Sequence, residues 1–331
     1  ISSGFRAGGN LQSDLQYVLA AQKSGLIIAF PPATSRGQAG NRKELKVKKK
    51  YENNQVSEEY SNGMLTVKNL TKKFGNNVVL DNIALTIEKG KTTVVIGPSG
   101  CGKTVLIKHL IALLRPSSGE VYFKNQRIDN LSENELNRVR THFGFLFQGG
   151  ALFDSLSVFE NIIFPIRQHC VITDWREIEK LVKAKLAMVG LDGFQNYYPA
   201  ALSGGQRKRV ALARAIALNP EVILYDEPTT GLDPVRGDVI NELILKLQRE
   251  LAVTTVVVTH DMASAYKIAD RIVMLHNGKI IADGDAEHIR NHPHPIVQQF
   301  INGRVSEDDL AVLRMSGTIS QAQFLPCDFV Q

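Results

Sequence analysis

No stretch of this 331-residue chain is apolar for long enough to cross a bilayer as a helix. Such a helix needs about 20 consecutive apolar residues. The strongest run, VLIKHLIALL (105–114), is shorter and carries Lys108 and His109. The chain is therefore expected not to span a membrane, which leaves attachment through a partner open. Cysteine is also scarce. Cys101, Cys170 and Cys327 form neither a C-x-x-C metal pattern nor an even disulfide framework, so a reducing compartment is expected. Acidic residues are nearly missing from the first 43 positions, where only Asp14 occurs. The net charge of +6 has a local origin, because residues 1–63 hold nine basic against five acidic residues. That distribution reads as solvated surface charge, and no nucleic-acid partner is expected.

What is present divides the chain in three. Residues 1–63 are rich in Ser, Gly, Gln and Asn, include KVKKK (46–50), and show no sustained periodicity. They are expected to be a mostly disordered N-terminal extension. The chain opens on Ile, whereas Met64 begins a patterned strand, MLTVKNL. A presequence, an expression scar or over-read upstream sequence would each look like this, and the scarcity of acid keeps a transit peptide open. From Met64 strands and helices alternate. TTVVIG (92–97), EVILYDE (221–227) and VTTVVVTHD (253–261) are short apolar runs suited to parallel strands buried on both faces. A helical pattern follows the first of them to about Leu114. RIVMLHNGKIIADG (271–284) has strand-like arms around Asn277-Gly278, a hairpin signal. Between about 157 and 219 the pattern is helical. In DWREIEKLVKAKLAMVG, for example, Ile178, Leu181, Val182, Leu186 and Val189 share one face and Gly190 marks the C-cap. A parallel-sheet core with an inserted helical subdomain is predicted.

Three motifs carry chemistry. GPSGCGKT (97–104) fits G-x-x-x-x-G-K-[ST] between a strand and a helix. Gly97, Gly100 and Gly102 allow the backbone amides of Pro98-flanked Ser99, Cys101 and the helix start at Lys103–Val105 to ring a phosphate chain. Helix polarity adds partial positive charge. Lys103 supplies a full charge to the β/γ phosphates, and the Thr104 hydroxyl can bind Mg²⁺. VILYDEP (222–228) ends a buried strand with two carboxylates. Asp226 is placed to hold Mg²⁺ through water and Glu227 to polarise an attacking water, although two adjacent acids also suit a cap. His260 closes another apolar strand, where a γ-phosphate contact depends on its companions. In ALSGGQRKRVALARAIAL (201–218), Ser203 and Gln206 form a capping-box pattern that opens a helix. Gly204 and Gly205 strip that end of side chains, and Arg207, Lys208 and Arg209 follow. This is a second anion-suited turn in a chain that already has one.

FQGGALFDSLSVFENI (147–162) sets Leu152, Phe153, Leu156 and Phe159 among glycines and Ser/Asp turn formers, a poor recipe for a core element. Exposed apolar side chains on a docking surface are expected; a loop collapsed on its own phenylalanines is the alternative. Ser157 and Glu160 form a further capping box.

GPSGCGKT, LSGGQ, ILYDEP, GLDP and VTHD, in that order, resemble the nucleotide-binding subunits of ABC ATPases over roughly 64–300. The resemblance implies an α/β P-loop NTPase fold, with an ABC-type core, an antiparallel β subdomain and an inserted helical subdomain at about 157–219. It implies hydrolysis of ATP with Mg²⁺ in a head-to-tail homodimer. Ser203, Gly204, Gly205 and Gln206 of one copy would then face the phosphate loop of the other. It places Phe74 of KKFGNN against adenine, Gln148 at the Mg²⁺ and the membrane partner, and Asp233 in the dimer-interface loop. Residues 149–162 would form the groove that receives a permease helix. FQGGALFDSLSVFENIIFPIR, RKRVALARA and HPIVQQFINGR (294–304) resemble more narrowly the ATPase subunits of Mla-type phospholipid transporters. That implies an Mce-domain protein, a STAS-type small subunit and a peripheral position on the cytoplasmic face of a bacterial inner membrane. The chain departs from that subgroup at Gln206, often methionine there, and in the tail 301–331, which matches nothing recognisable after about 304. The competing expectations are the ATPase of a solute importer and a membrane-associated ABC ATPase without transport, of the cell-division type. DNA-repair and translation members carry a coiled-coil or zinc insertion or a second cassette, which this sequence lacks.

Overall fold

The computed structural model describes residues 63–169 and 174–304. The extension and tail expected from sequence fall almost wholly outside those residues, as do Cys170 and Cys327. In chain order the strands are β1 (Gly63–Phe74), β2 (Asn77–Glu88), β3 (Thr92–Ile96), β4 (Ser118–Phe123), β5 (Gln126–Arg127), β6 (Phe143–Leu146), β7 (Val222–Asp226), β8 (Thr254–Thr259), β9 (Arg271–His276) and β10 (Lys279–Gly284). The helices are α1 (Lys103–Leu110), α2 (Glu133–Arg140), α3 (Val158–His169), α4 (Trp175–Met188), α5 (Gly204–Ala215), α6 (Pro234–Leu251), α7 (Met262–Ile268), α8 (Ala286–Arg290) and α9 (Pro295–Ile301).

Two sheets result. One is antiparallel with order β2-β1-β4-β5; the other has order β10-β9-β3-β8-β7-β6, parallel except for the β10 edge. The parallel strands show why their sequences are uninterrupted runs of Val and Ile. Side chains alternate across a strand, and here both faces are covered. Val94, Ile96, Ile223, Tyr225, Val257, Ile272 and Met274 enter a core shared with α3 to α7. Their neighbours Val95, Val222, Leu224, Val256, Val258, Val273 and Leu275 enter the core under the antiparallel sheet and α1. Each fully buried aliphatic side chain of this kind contributes roughly 1.5–3 kcal/mol, so the sheet is the rigid part of the molecule.

Local signals set the ends of elements. Asn277 and Gly278 both take positive φ, 47° and 72°, in the β9–β10 turn, the geometry of a two-residue hairpin. Asp174 caps α4 by accepting from the Arg176 amide. Ser203 and Gln206 make both bonds of the capping box on α5. Helix α1 ends at Leu110, earlier than the pattern to Leu114 predicts. Ala112 turns left-handed at φ 50°, and the Leu113 amide bonds back to the Lys108 carbonyl at 2.9 Å, a helix-closing turn. At the start of α2 the Ser132 amide donates to Glu135 at 2.9 Å.

Candidate functional site

The carboxyl ends of parallel strands are where an open α/β sheet presents its ligand crevice. Register brings three of them level: Ile96 pairs with Thr259, and Asp226 with Val258. The loop after β3, the acids after β7 and the histidine after β8 therefore meet at one edge.

The loop 97–102 is held in a form that only glycine permits at two points. A Cβ on Gly97 would lie 2.1 Å from the Leu275 carbonyl oxygen, and Gly102 has φ 107° beside Val79 and Leu80 of β2. Gly102 caps α1 without any side-chain bond, which leaves first-turn amides open to an anion. Lys103, only 7% exposed, donates to the carbonyls of Gly97 at 2.8 Å and Pro98 at 3.0 Å. Its Nζ also stands 3.9 Å from Glu227. The ammonium is thus folded onto its own loop, over the position a phosphate chain would take.

The two acids have different surroundings. Asp226 accepts from the Thr104 hydroxyl at 3.1 Å, joining two hard oxygen donors. Burial raises its carboxyl above the usual range and the Glu227 charge adds to this, while Thr104, Lys108 and Lys103 oppose it. Glu227 has φ 50°, a left-handed conformation that costs about 1–3 kcal/mol for a non-glycine residue. Its backbone is held there by the Glu227 amide donating to the Val258 carbonyl at 2.9 Å. Its carboxylate lies within 3.0 Å of His260 Nδ1, which must carry the proton to donate to a carboxylate. It also accepts from Thr230 at 3.2 Å and Thr259 at 3.4 Å. Lys103, Thr104, Asp226, Glu227 and His260 are therefore one bonded cluster. Thr230 and Thr259 join it unpredicted, although their adjacency to the two motifs was a usable signal.

Other candidate residues stand outside that cluster. Phe74 is 48% exposed at the end of β1, with Lys72 Nζ 5.0 Å from its ring centroid. The hairpin that bears it continues into Val79 and Leu80, beside Gly102. Gln148 is exposed after edge strand β6, and its carbonyl accepts from Lys208. Ser203 and Gln206 bond each other, with the Ser203 amide donating to Gln206 at 2.8 Å. A Cβ on Gly204 would meet Leu232, and one on Gly205 would meet Arg236, so this turn adjoins the loop of Asp233. Asp233 caps α6 through the Arg236 amide at 3.0 Å and pairs with the Arg236 side chain at 3.2 Å. Cys101 is buried in the phosphate loop, and burial raises its thiol pKa.

Two sequence expectations need correction. The basic run after the capping box does not gather toward an anion. Arg207 donates to the Leu202 carbonyl at 2.7 Å, Arg209 to Gly190 at 3.0 Å, and Lys208 to the Gln148 and Glu227 carbonyls. The loop 147–157 does not hold its apolar side chains out into water either. Leu152, Phe153, Leu156 and Phe159 are half-buried; Leu152 and Phe159 pack on the core, and Phe153 on Phe164 at 4.7 Å. The cause is Asn161, fully buried, whose amide must find partners. It donates to the carbonyls of Phe153, Leu156 and Ser157 and accepts from the Phe153 amide at 2.9 Å. An asparagine within a helical pattern gives no local sign of burial, so Asn161 is not legible in the sequence.

Comparison with known proteins adds a second line. The ABC transporter family pattern matches residues 80–230. The chain is 45% identical over 240 residues to the intermembrane phospholipid transport system ATP-binding protein MlaF of Haemophilus influenzae, covering 72% of this chain and 90% of that protein. It is 42% identical over 240 residues to the "Probable ribonucleotide transport ATP-binding protein mkl" of Mycobacterium bovis, with 72% and 67% covered. A dimeric ATP-binding cassette, solved in a post-hydrolysis state with ADP and Pi, is 38% identical at a TM-score of 0.63, covering 67% of this chain and 98% of that one.

Proposed function

The chain belongs to the ABC transporter family of ATP-binding proteins, and we propose that it powers phospholipid transport through a separate membrane permease of Mla type. It is an ATPase, converting ATP and water to ADP and phosphate. The observation that carries the hydrolytic reading is the cluster at the strand edge, where Glu227 meets His260, Lys103 and two threonine hydroxyls.

In this reading the loop 97–105 wraps the phosphates with its amides. Lys103 leaves the carbonyls of Gly97 and Pro98 to neutralise the β/γ oxygens. Phe74 offers its open ring to the adenine. Glu227 orients the water that attacks the γ-phosphorus, and His260 holds both the carboxylate and the γ-phosphate. Thr104 and Asp226 suit Mg²⁺, which takes hard oxygens and keeps several waters; Gln148 completes that set. When bound, the ion supplies charge neutralisation during phosphoryl transfer.

The turn Ser203-Gly204-Gly205-Gln206 and the Asp233 loop are assigned to the facing protomer's nucleotide, in a head-to-tail homodimer closed by ATP. Residues 149–162 are assigned to a permease helix. The half-buried side chains make this a shallow, preformed surface rather than a set of free anchors. Among the described residues no helix is long and apolar enough to cross a membrane. In this reading the chain takes a peripheral place on the cytoplasmic face of a bacterial inner membrane, with Mce-domain and STAS-type companions; the likeness to MlaF supports the phospholipid-transport part of it.

The mycobacterial relative favours a second reading, in which the same ATPase drives a solute transporter. Co-purification of the tagged chain from gently solubilised native membranes, with mass spectrometry of proteins and lipids, separates the two. A permease with an Mce-domain protein and phospholipid is expected. A permease with a solute-binding protein would favour the solute reading, and a division partner without any permease would remove transport.

A further inference from the structure

Helix α5 begins with the turn assigned to the facing protomer. One turn later the same helix reaches into its own protomer's site. Lys208 is 6% exposed, and its Nζ donates to the carbonyl of Gln148 and, at 3.3 Å, to the carbonyl of Glu227. These carbonyls belong to separate segments, the one after β6 and the one after β7. A second cation of α5 repeats the arrangement. Arg214 donates to the carbonyls of Ala151 at 2.8 Å and Gly150 at 2.9 Å, with its guanidinium 5.8 Å from the Phe153 ring centroid. Taking an ammonium out of water costs several kcal/mol unless it is well bonded. Backbone carbonyls are a poor counterweight for a residue whose only task is stability.

We propose that Lys208 is a positioning residue for hydrolysis, tying the Gln148 segment and the left-handed Glu227 backbone to the helix whose first turn serves the facing protomer. Glu227 is the strained element of the cluster, and its carbonyl is the atom Lys208 holds. Arg214 locks Gly150 and Ala151 of the same segment to that helix. Movement of α5 on dimer closure is then transmitted as one body to Gln148 and to the carboxylate that orients water. Burial lowers the Lys208 pKa, while the charges of Asp226 and Glu227 oppose this, so the ammonium sits in the field of both acids without replacing either.

This inference rests on the ATPase reading above, and its test separates the two. The full chain is compared as wild type, Lys208→Met, Lys208→Arg and Glu227→Gln, measuring ATP affinity, kcat and KM for ATP with Mg²⁺, and thermal unfolding. Lys208→Met is expected to bind ATP within about twofold of wild type, with kcat reduced about 10–100-fold, the scale of a displaced catalytic group. Lys208→Arg, which still donates to carbonyls, is expected to recover most of the rate. An unchanged kcat in folded Lys208→Met overturns the proposal, as does a parallel loss of affinity and rate that Lys208→Arg leaves uncorrected. If Lys208→Met fails to fold, Lys208→Gln, which retains a shorter donor, carries the same comparison. Glu227→Gln turning over at the wild-type rate would instead overturn the ATPase assignment.

Discussion

The two anion-suited turns of this chain are built on opposite plans. The first, at 97–104, engages its charged and hydroxyl side chains while the first-turn amides of α1 have no side-chain cap. Lys103 rests on two carbonyls, Thr104 on Asp226, and Glu227 on His260, Thr230 and Thr259. The second, at 203–206, bonds only within itself, Ser203 to Gln206 and back, with Gly204 and Gly205 offering bare backbone beside Leu232 and Arg236. The first gathers side chains from several strand ends around an uncapped helix start, whereas the second is a capped helix start that draws its cap from its own first turn. One turn is a site in its own right. The other is half of a site, and in the proposed dimer its complement is a second copy of the chain.

A matched pair of glycine substitutions tests that contrast most strongly. Gly97→Ala places a Cβ 2.1 Å from the Leu275 carbonyl oxygen, so the backbone must move. Stability is expected to fall by roughly 1–3 kcal/mol, and ATP binding with it. Gly205→Ala meets nothing closer than Arg236 at 3.8 Å and sits in a helix, where alanine is favoured by about 0.5–1 kcal/mol. Unfolding and ATP-affinity measurements should show this variant at least as stable as wild type and still able to bind ATP, yet at least about tenfold slower in turnover because the bare turn is lost. Equal damage to folding from both would erase the distinction.

A subtler effect sharpens it within the first turn. Asp226 is raised by burial, so its folded pKa lies above its unfolded one. Ionising it then works against the fold, a cost present at neutral pH that fades as pH falls through the folded pKa. Asp226→Asn should therefore melt above wild type at neutral pH, with the gap narrowing in acid, while Mg²⁺-dependent turnover drops about 10–100-fold. A lower melting temperature for Asp226→Asn would show that the Thr104 bond outweighs the cost of burying the carboxylate.

The sequence carries the first turn almost completely and the second only in outline. GPSGCGKT, the strand ends at Asp226 and His260, the Asn277-Gly278 hairpin and the Ser203–Gln206 box are local patterns, each set by a few adjacent residues. Lys208, Arg214 and Asn161 are not. Their partners lie 60, 63 and 8 residues away in the first bond each makes, and nothing in RKRVALARA distinguishes a cation aimed at carbonyls from one aimed at phosphate. The loop 147–157 takes the collapsed alternative for the same reason. Its apolar residues look exposed until the buried Asn161 amide, which folds the loop over itself, is known.

In the proposed dimer the second turn is completed by another copy of this chain. The direct test is light scattering of Glu227→Gln in Mg²⁺, with and without saturating ATP, because that variant should bind ATP without consuming it. The account predicts the mass of one chain without ATP and of two with it, and reversion to one chain when Gly205→Asp is added although ATP remains bound. A protein that holds ATP as a single chain in Glu227→Gln, or that stays paired with Gly205→Asp, would contradict it.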